Sequence, residues 1–153
     1  NKREYAVGTW FVVPLRTGGF TLGVVARVGS GGVLFGYFFP PKLDRIPDLI
    51  PESVNPNSRI FWGQFSHLGL ARDRWNIIGV DKTFNKEEWP MPPMIRVDDQ
   101  SQVAFLSYYD EKMKLQKEER CDPLLVDRYP YDALEGAGSL EIHLTKLLNE
   151  SDR

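Results

Sequence analysis

Between Gly8 and Phe39 the chain consists of three runs of β-branched and aromatic residues cut apart by glycine turns. Gly8-Thr9-Trp10-Phe11-Val12-Val13-Pro14-Leu15 suits a pleated, packed surface. Thr17-Gly18-Gly19 then offers a tight reversal, because glycine tolerates positive φ. Phe20 to Val28 reads as a second strand, with Gly23 marking a bulge or a close backbone approach. Gly29-Ser30-Gly31-Gly32 reverses the chain again, and Val33 to Phe39 forms a third strand. The pattern predicts a three-stranded antiparallel meander, with Pro14 placing an edge or a bulge near the end of its first strand.

The texture changes from Pro40 to Ser58. Prolines at 40, 41, 47, 51 and 56 argue against a long regular element and leave room for short helical turns around Asp44 to Ile50. Arg59 to His67 reads as a strand, Leu68 to Arg74 as a short helix, and Trp75 to Val80 as a strand anchored by its tryptophan. Glu87 to Pro93 is a proline-punctuated loop in which Trp89-Pro90 is the bond most prone to be cis. Met94 to Asp98 and Gln102 to Tyr109 are two further strands, and the charged stretch Asp110 to Arg120 fits either a helix or an edge strand. Ser139 is the expected N-cap of a terminal helix whose Leu140, Leu144, Leu147 and Leu148 share one face. These elements predict one mainly β (α+β) domain over residues 1–153, built as a twisted antiparallel sheet or partly closed barrel with the C-terminal helix packed on it.

Length and composition support one core: 153 residues, 42% hydrophobic and 12% aromatic, are enough to bury one. No apolar run approaches the ~20 residues of a membrane helix. Asn1-Lys2-Arg3-Glu4 is followed by no apolar signal region, and without an initiator Met the chain is expected to be processed or cut from something longer. The single Cys121 cannot form an internal disulfide, which favours a cytoplasmic home. The net charge of −2 hides an asymmetry: nine Lys/Arg against five Asp/Glu in residues 1–76, ten against sixteen in residues 77–153. The second half is suited to a basic partner, whereas an overall acidic chain repels nucleic acid.

Catalytic chemistry lacks its parts. His67 and His143 lie far apart, and no Cys-x-x-Cys or His-x-x-x-His spacing is present, so neither a metal nor a cofactor is expected. Glu119 and Asp122 flank Cys121 and would blunt its thiolate. The Gly29–Gly32 turn runs into a strand, not a helix, and so makes no phosphate cradle. The adjacent acids Asp98-Asp99, Asp110-Glu111 and Glu118-Glu119 would point to opposite faces of a strand, which unsuits them for paired acid–base work. Trp10 and Trp75 read as core residues. Trp62 and Trp89 border irregular segments, where one of them could stand exposed as a protein-binding anchor.

Val7-Gly8-Thr9-Trp10-Phe11-Val12-Val13-Pro14-Leu15, then Gly18, then Phe20-Thr21-Leu22-Gly23-Val24-Val25-Ala26-Arg27 resembles the opening hairpin of the immunity protein 26 family. Leu34-Phe35-Gly36-Tyr37, Trp75-Asn76-Ile77-Ile78-Gly79 and Trp89-Pro90-Met91-Pro92 follow in matching order, so that the resemblance extends over nearly the whole chain. In it Gly8, Gly23 and Gly79 look like backbone requirements and Trp75 like a core anchor. The resemblance implies a non-catalytic protein that binds a cognate bacterial toxin and occludes it. Charge asymmetry and loop placement suggest Trp89, Asp98, Asp99, Asp110 and Glu111 as the contact set. A β-barrel adaptor or nucleic-acid-binding module is the rival reading, with Arg72, Arg74 and Trp75 as its basic and aromatic patch.

Overall fold

In the computed structural model, which describes residues 5–151, the glycine-punctuated first third forms the expected meander. The opening Asn1–Glu4, from which the missing signal region was read, lies outside the described residues. Strand β1 (Thr9–Pro14) runs antiparallel to β2 (Phe20–Val28), and β2 runs antiparallel to β3 (Val33–Leu43). The Gly29–Gly32 segment is a hairpin connection, closed by the Gly29 N–H donating to the Val33 carbonyl at 2.8 Å. β3 overruns its expected end at Phe39 and carries the cis Pro40–Pro41 bond inside it; Trp89–Pro90 is not cis. The prolines are tolerated because β4 pairs only as far as Phe38, and the β2 ladder skips from Phe39 to Leu43.

The remaining elements are β4 (Phe61–Ser66), α1 (Leu68–Ala71), β5 (Asn76–Val80), β6 (Met94–Asp98), β7 (Val103–Tyr109), β8 (Leu115–Cys121), β9 (Leu134–Glu135) and α2 (Ala137–Ser151). Six strands form one sheet in the order β5-β1-β2-β3-β4-β9, antiparallel except for the β4–β9 pair. Its two ends are different strands that never meet, so the sheet stays open and the barrel alternative is not taken. A second sheet, β6-β7-β8, holds the charged stretch as its edge strand; every residue from Leu115 to Arg120 is exposed, which erased any alternation in the sequence. The expected helical turns at 44–50 are absent; the one turn in that region is a 3-10 turn at Pro56–Ser58. The edge expected at Pro14 is local: β5 pairs β1 only from Thr9 to Val12, so Pro14 has β2 on one side alone, while the strand's irregularity falls between Trp10 and Phe11.

Each face of the large sheet is covered. On one, Phe11, Val13, Val25, Leu34, Phe38, Phe65 and Trp75 pack against Leu140, Leu144 and Leu148 of α2. The helix begins at Ala137, two residues before the expected cap; the Ser139 hydroxyl instead donates to Glu135 Oε2 at 2.5 Å. On the other face Trp10, Val24, Phe35, Tyr37 and Phe39 meet Trp89 and Met94, which arrive from the proline loop and the second sheet. Gly8 and Gly23 are required by space. Gly8 has φ +92° and a Cβ there would lie 2.5 Å from the Asp81 carbonyl oxygen; one on Gly23 would lie 2.9 Å from the Phe11 and Phe38 rings.

The β2–β3 ladder has a bulge between Val25 and Arg27 that decides where a charge goes. Strict alternation would aim Arg27 at the Phe11 face. The extra residue pairs it with Phe35 instead and turns it toward the Trp89 side. There the buried guanidinium donates to the Trp89 carbonyl at 2.9 Å and the Lys86 carbonyl at 3.3 Å, and it pairs with Glu111.

Candidate partner-binding surface

Two of the suggested contact acids, Asp98 at the end of β6 and Asp99 in the turn that follows, lie before β7; the other two, Asp110 and Glu111, lie just after it. At ~3.3 Å per residue the strand separates the pairs by about 20 Å, so they do not form one patch. Asp98 is exposed, and the Gln100 backbone N–H, followed by the Ser101 side chain, holds its carboxyl below the usual range. Asp110 is occupied with its own turn, accepting from the Lys112 and Lys114 N–H groups at 2.9 Å each. Glu111 neutralises buried Arg27 while leaving 64% of its own side chain in solvent. Trp89 corrects the expectation of a surface anchor: it is 7% exposed, enclosed by Trp10, Tyr37, Phe39 and Phe84.

Arg27 therefore staples two loops to the sheet. Replacing it by Ala is expected to lower stability by about 2–3 kcal/mol, because the carbonyls of Ala26, Trp89 and Lys86 all lose a donor. Glu111→Gln should cost less than about 1 kcal/mol, since water screens the exposed carboxylate. Urea unfolding of the two variants checks the order.

The basic and aromatic patch of the rival reading does not exist as a surface. Trp75 is fully buried, and its Nε1–H donates to Glu141 Oε2 at 2.8 Å. Arg74 donates to Glu141 Oε1 at 2.6 Å and Arg16 to the same oxygen at 3.2 Å. Glu141 is thus the buried joint between α2 and the sheet. Sequence reasoning missed it, although Leu140, Leu144 and Leu148 on one face imply that positions 141 and 145 flank that face and need partners if polar.

The surface offers three adjoining depressions instead. The largest, about 620 Å³, lies beside β6 between Ile95, Val97, Leu124, Val126 and Tyr131, with Asp99 on its wall. Leu124 is 84% and Tyr131 58% exposed, unusually open for large apolar side chains. Val126 and Tyr131 also line a second depression of about 310 Å³, which Trp62, Phe61, His143 and Leu147 complete. Trp62 in turn walls a third, of about 360 Å³, with Tyr37, Arg59, Glu87 and Glu88. Beneath the first, Asp132 ties the layers together by accepting from Tyr109 at 2.5 Å, Ser107 at 2.7 Å and Gln64 at 3.1 Å. Burial, then the Asp132 bond, pushes the Tyr109 hydroxyl up to about 12, so it donates throughout the physiological range.

Of the two histidines, His143 alone lines one of these three depressions. His67 bonds to the Tyr5 hydroxyl at 2.7 Å and His143 to Glu135 at 3.0 Å. Burial, then the Asp122 charge, raises the Cys121 thiol. Among the described residues no group of three or more His, Cys, Asp or Glu is placed to hold a metal ion, and no helix is long and apolar enough to cross a membrane.

The described residues thus form an α+β fold whose large sheet is covered on both faces and whose surface carries a band of adjoining depressions. The chain belongs to the immunity protein 26 family, whose model matches residues 6–104. The match ends within β7 and does not extend over nearly the whole chain as the resemblance had suggested. Leu124, Val126 and Tyr131 lie beyond the matched segment. No curated protein and no solved structure gives a significant match.

Proposed function

We propose that this protein is an immunity protein that binds a cognate bacterial toxin and occludes it without catalysis. Membership of the immunity protein 26 family carries the reading. The adjoining depressions support it, because exposed Leu124 and Tyr131 supply apolar anchors that water leaves on binding. A stable inhibitory interface of roughly 1,200–2,000 Å² would extend well past them. Asp98 and Asp99, exposed at the turn beside the largest depression, are proposed as rim charges that steer a basic toxin. Cys121, as the single thiol, fits the reducing cytoplasm, where we place the protein.

The tagged domain, incubated with extract of its source organism, should retain one toxin or toxin domain in near-equal amount through a high-salt wash. Recovery of nucleic acid, or of many unrelated proteins and no toxin, contradicts the reading. With that toxin in hand, Asp98→Asn with Asp99→Asn should slow association several-fold at low salt and flatten its salt dependence. An unchanged rate and salt slope would remove these acids from the interface.

A further inference from the structure

Arg59 packs on aromatic rings without the carboxylate partner that several other arginines have. Arg16 and Arg74 pair with Glu141, Arg27 with Glu111 and Arg96 with Glu118. Arg59 lies with its guanidinium 3.5 Å from the centre of the Trp62 ring and 5.9 Å from that of Tyr37. One side-chain hydrogen bond, from Nη1 to the Pro56 carbonyl at 3.1 Å, uses a single one of its donors. Among the described residues it has no ion-pair partner, although Glu87 and Glu88 line the same 360 Å³ pocket. Its half-burial works against the charge and lowers its pKa, with no carboxylate to compensate.

We propose that this pocket receives an acidic side chain of the toxin, clamped by the Arg59 guanidinium where it stands over the Trp62 ring. This rests on the immunity reading and adds the chemistry of one contact. The planar fork of Arg59 suits a carboxylate, which accepts two parallel N–H bonds from it. Trp62 and Arg59 are also residue types that dominate binding energy when they cluster, and fully buried Tyr37 floors the pocket beneath them. Glu87 and Glu88 add a condition: they repel a purely acidic segment, so the acid has a basic neighbour that meets them. Trp62 lines both this pocket and the second depression, so the two adjoin and one partner surface can span them.

The probe is the capped dipeptide acetyl-Asp-Lys-amide, with acetyl-Asn-Lys-amide as control, titrated into nitrogen-15-labelled protein. The Arg59 Nε–H and Trp62 Nε1–H resonances should move with the aspartyl probe. The control, and the aspartyl probe on Arg59→Gln, should bind at least tenfold more weakly. Arg59→Lys should lose most of the response, because it keeps the charge without the fork. Equal responses to the two probes, no response, or a response kept by a folded Arg59→Gln would overturn the proposal. So would a Glu87→Gln, Glu88→Gln variant that moves the Arg59 resonance as far as the probe does, since the pocket would then be filled from within. Arg59→Gln should also weaken toxin binding at least tenfold. A toxin held equally by Arg59→Gln and wild type sinks this inference alone; a dipeptide that binds a protein retaining no toxin sinks the immunity reading and leaves the pocket.

Discussion

Trp75→Ala is expected to lower the unfolding free energy by about 3–5 kcal/mol, the largest loss for any single side chain here. The indole is fully buried, stacked on Phe11 with centroids 5.8 Å apart and planes 6° from parallel, and packed against Phe65 at 6.0 Å. Gly69 lies so close that a Cβ there would stand 2.2 Å from the indole, so the cavity has a backbone wall that cannot collapse into it. Trp75→Phe separates the two contributions. It keeps most of the ring and strips Glu141 of one donor, at a cost of about 1–2 kcal/mol. Urea melts of the three proteins should place Phe between wild type and Ala; a Phe variant as unstable as Ala would assign the whole effect to the hydrogen bond.

Glu141→Gln is expected to cost about 2–3 kcal/mol at neutral pH. Glu141 is almost completely buried, but Arg16 and Arg74 are about half exposed and regain water when the carboxylate goes, which keeps the loss below that of a fully enclosed pair. Burial pushes the Glu141 carboxyl up. The Arg74 and Trp75 hydrogen bonds, with the Arg74 and Arg16 charges, outweigh that and hold it below its ordinary 4.5. A carboxyl depressed on folding adds stability that is complete above its unfolded value and drains away as pH falls through the native one. Wild type and Glu141→Gln should therefore converge in acid. A gap that stays constant with pH would mean that the charge of Glu141 contributes nothing. Trp75→Phe and Glu141→Gln should be less than additive, because both remove the same bond.

The local rules wrote the first forty residues legibly. Glycine turns and β-branched runs gave the meander, and Gly8 and Gly23 hold the backbone and ring contacts expected of them. The terminal leucines likewise announced a helix with one apolar face. What stayed hidden depended on partners far away in sequence. Glu141 meets Trp75 across 66 positions, and nothing near either residue reports it. Arg27 looks like one polar residue ending a strand until the bulge turns it beneath the Trp89 loop. Trp89 sits among prolines, which spoke for exposure, yet that irregular loop folds back and makes the tryptophan a lid on the second core.

The surface was harder to read still. Asp98 and Asp99 were visible as acids at a turn and stay exposed, with Asp98 accepting from the Gln100 N–H there. Asp110 and Glu111 belonged to the same compositional signal but serve a turn and an arginine. The depressions join Ile95, Trp62 and Tyr131, residues from segments that no periodicity connects.

Occlusion without catalysis is tested most directly by titrating the captured toxin with this protein and following the toxin's own activity. Stoichiometric blockade predicts a linear fall to zero at one equivalent, with full activity recovered when the complex is separated under denaturing conditions and the toxin refolded. Activity that persists at several equivalents contradicts occlusion. Inactivation by a small fraction of an equivalent contradicts it too, because a protein that turns over its target is an enzyme.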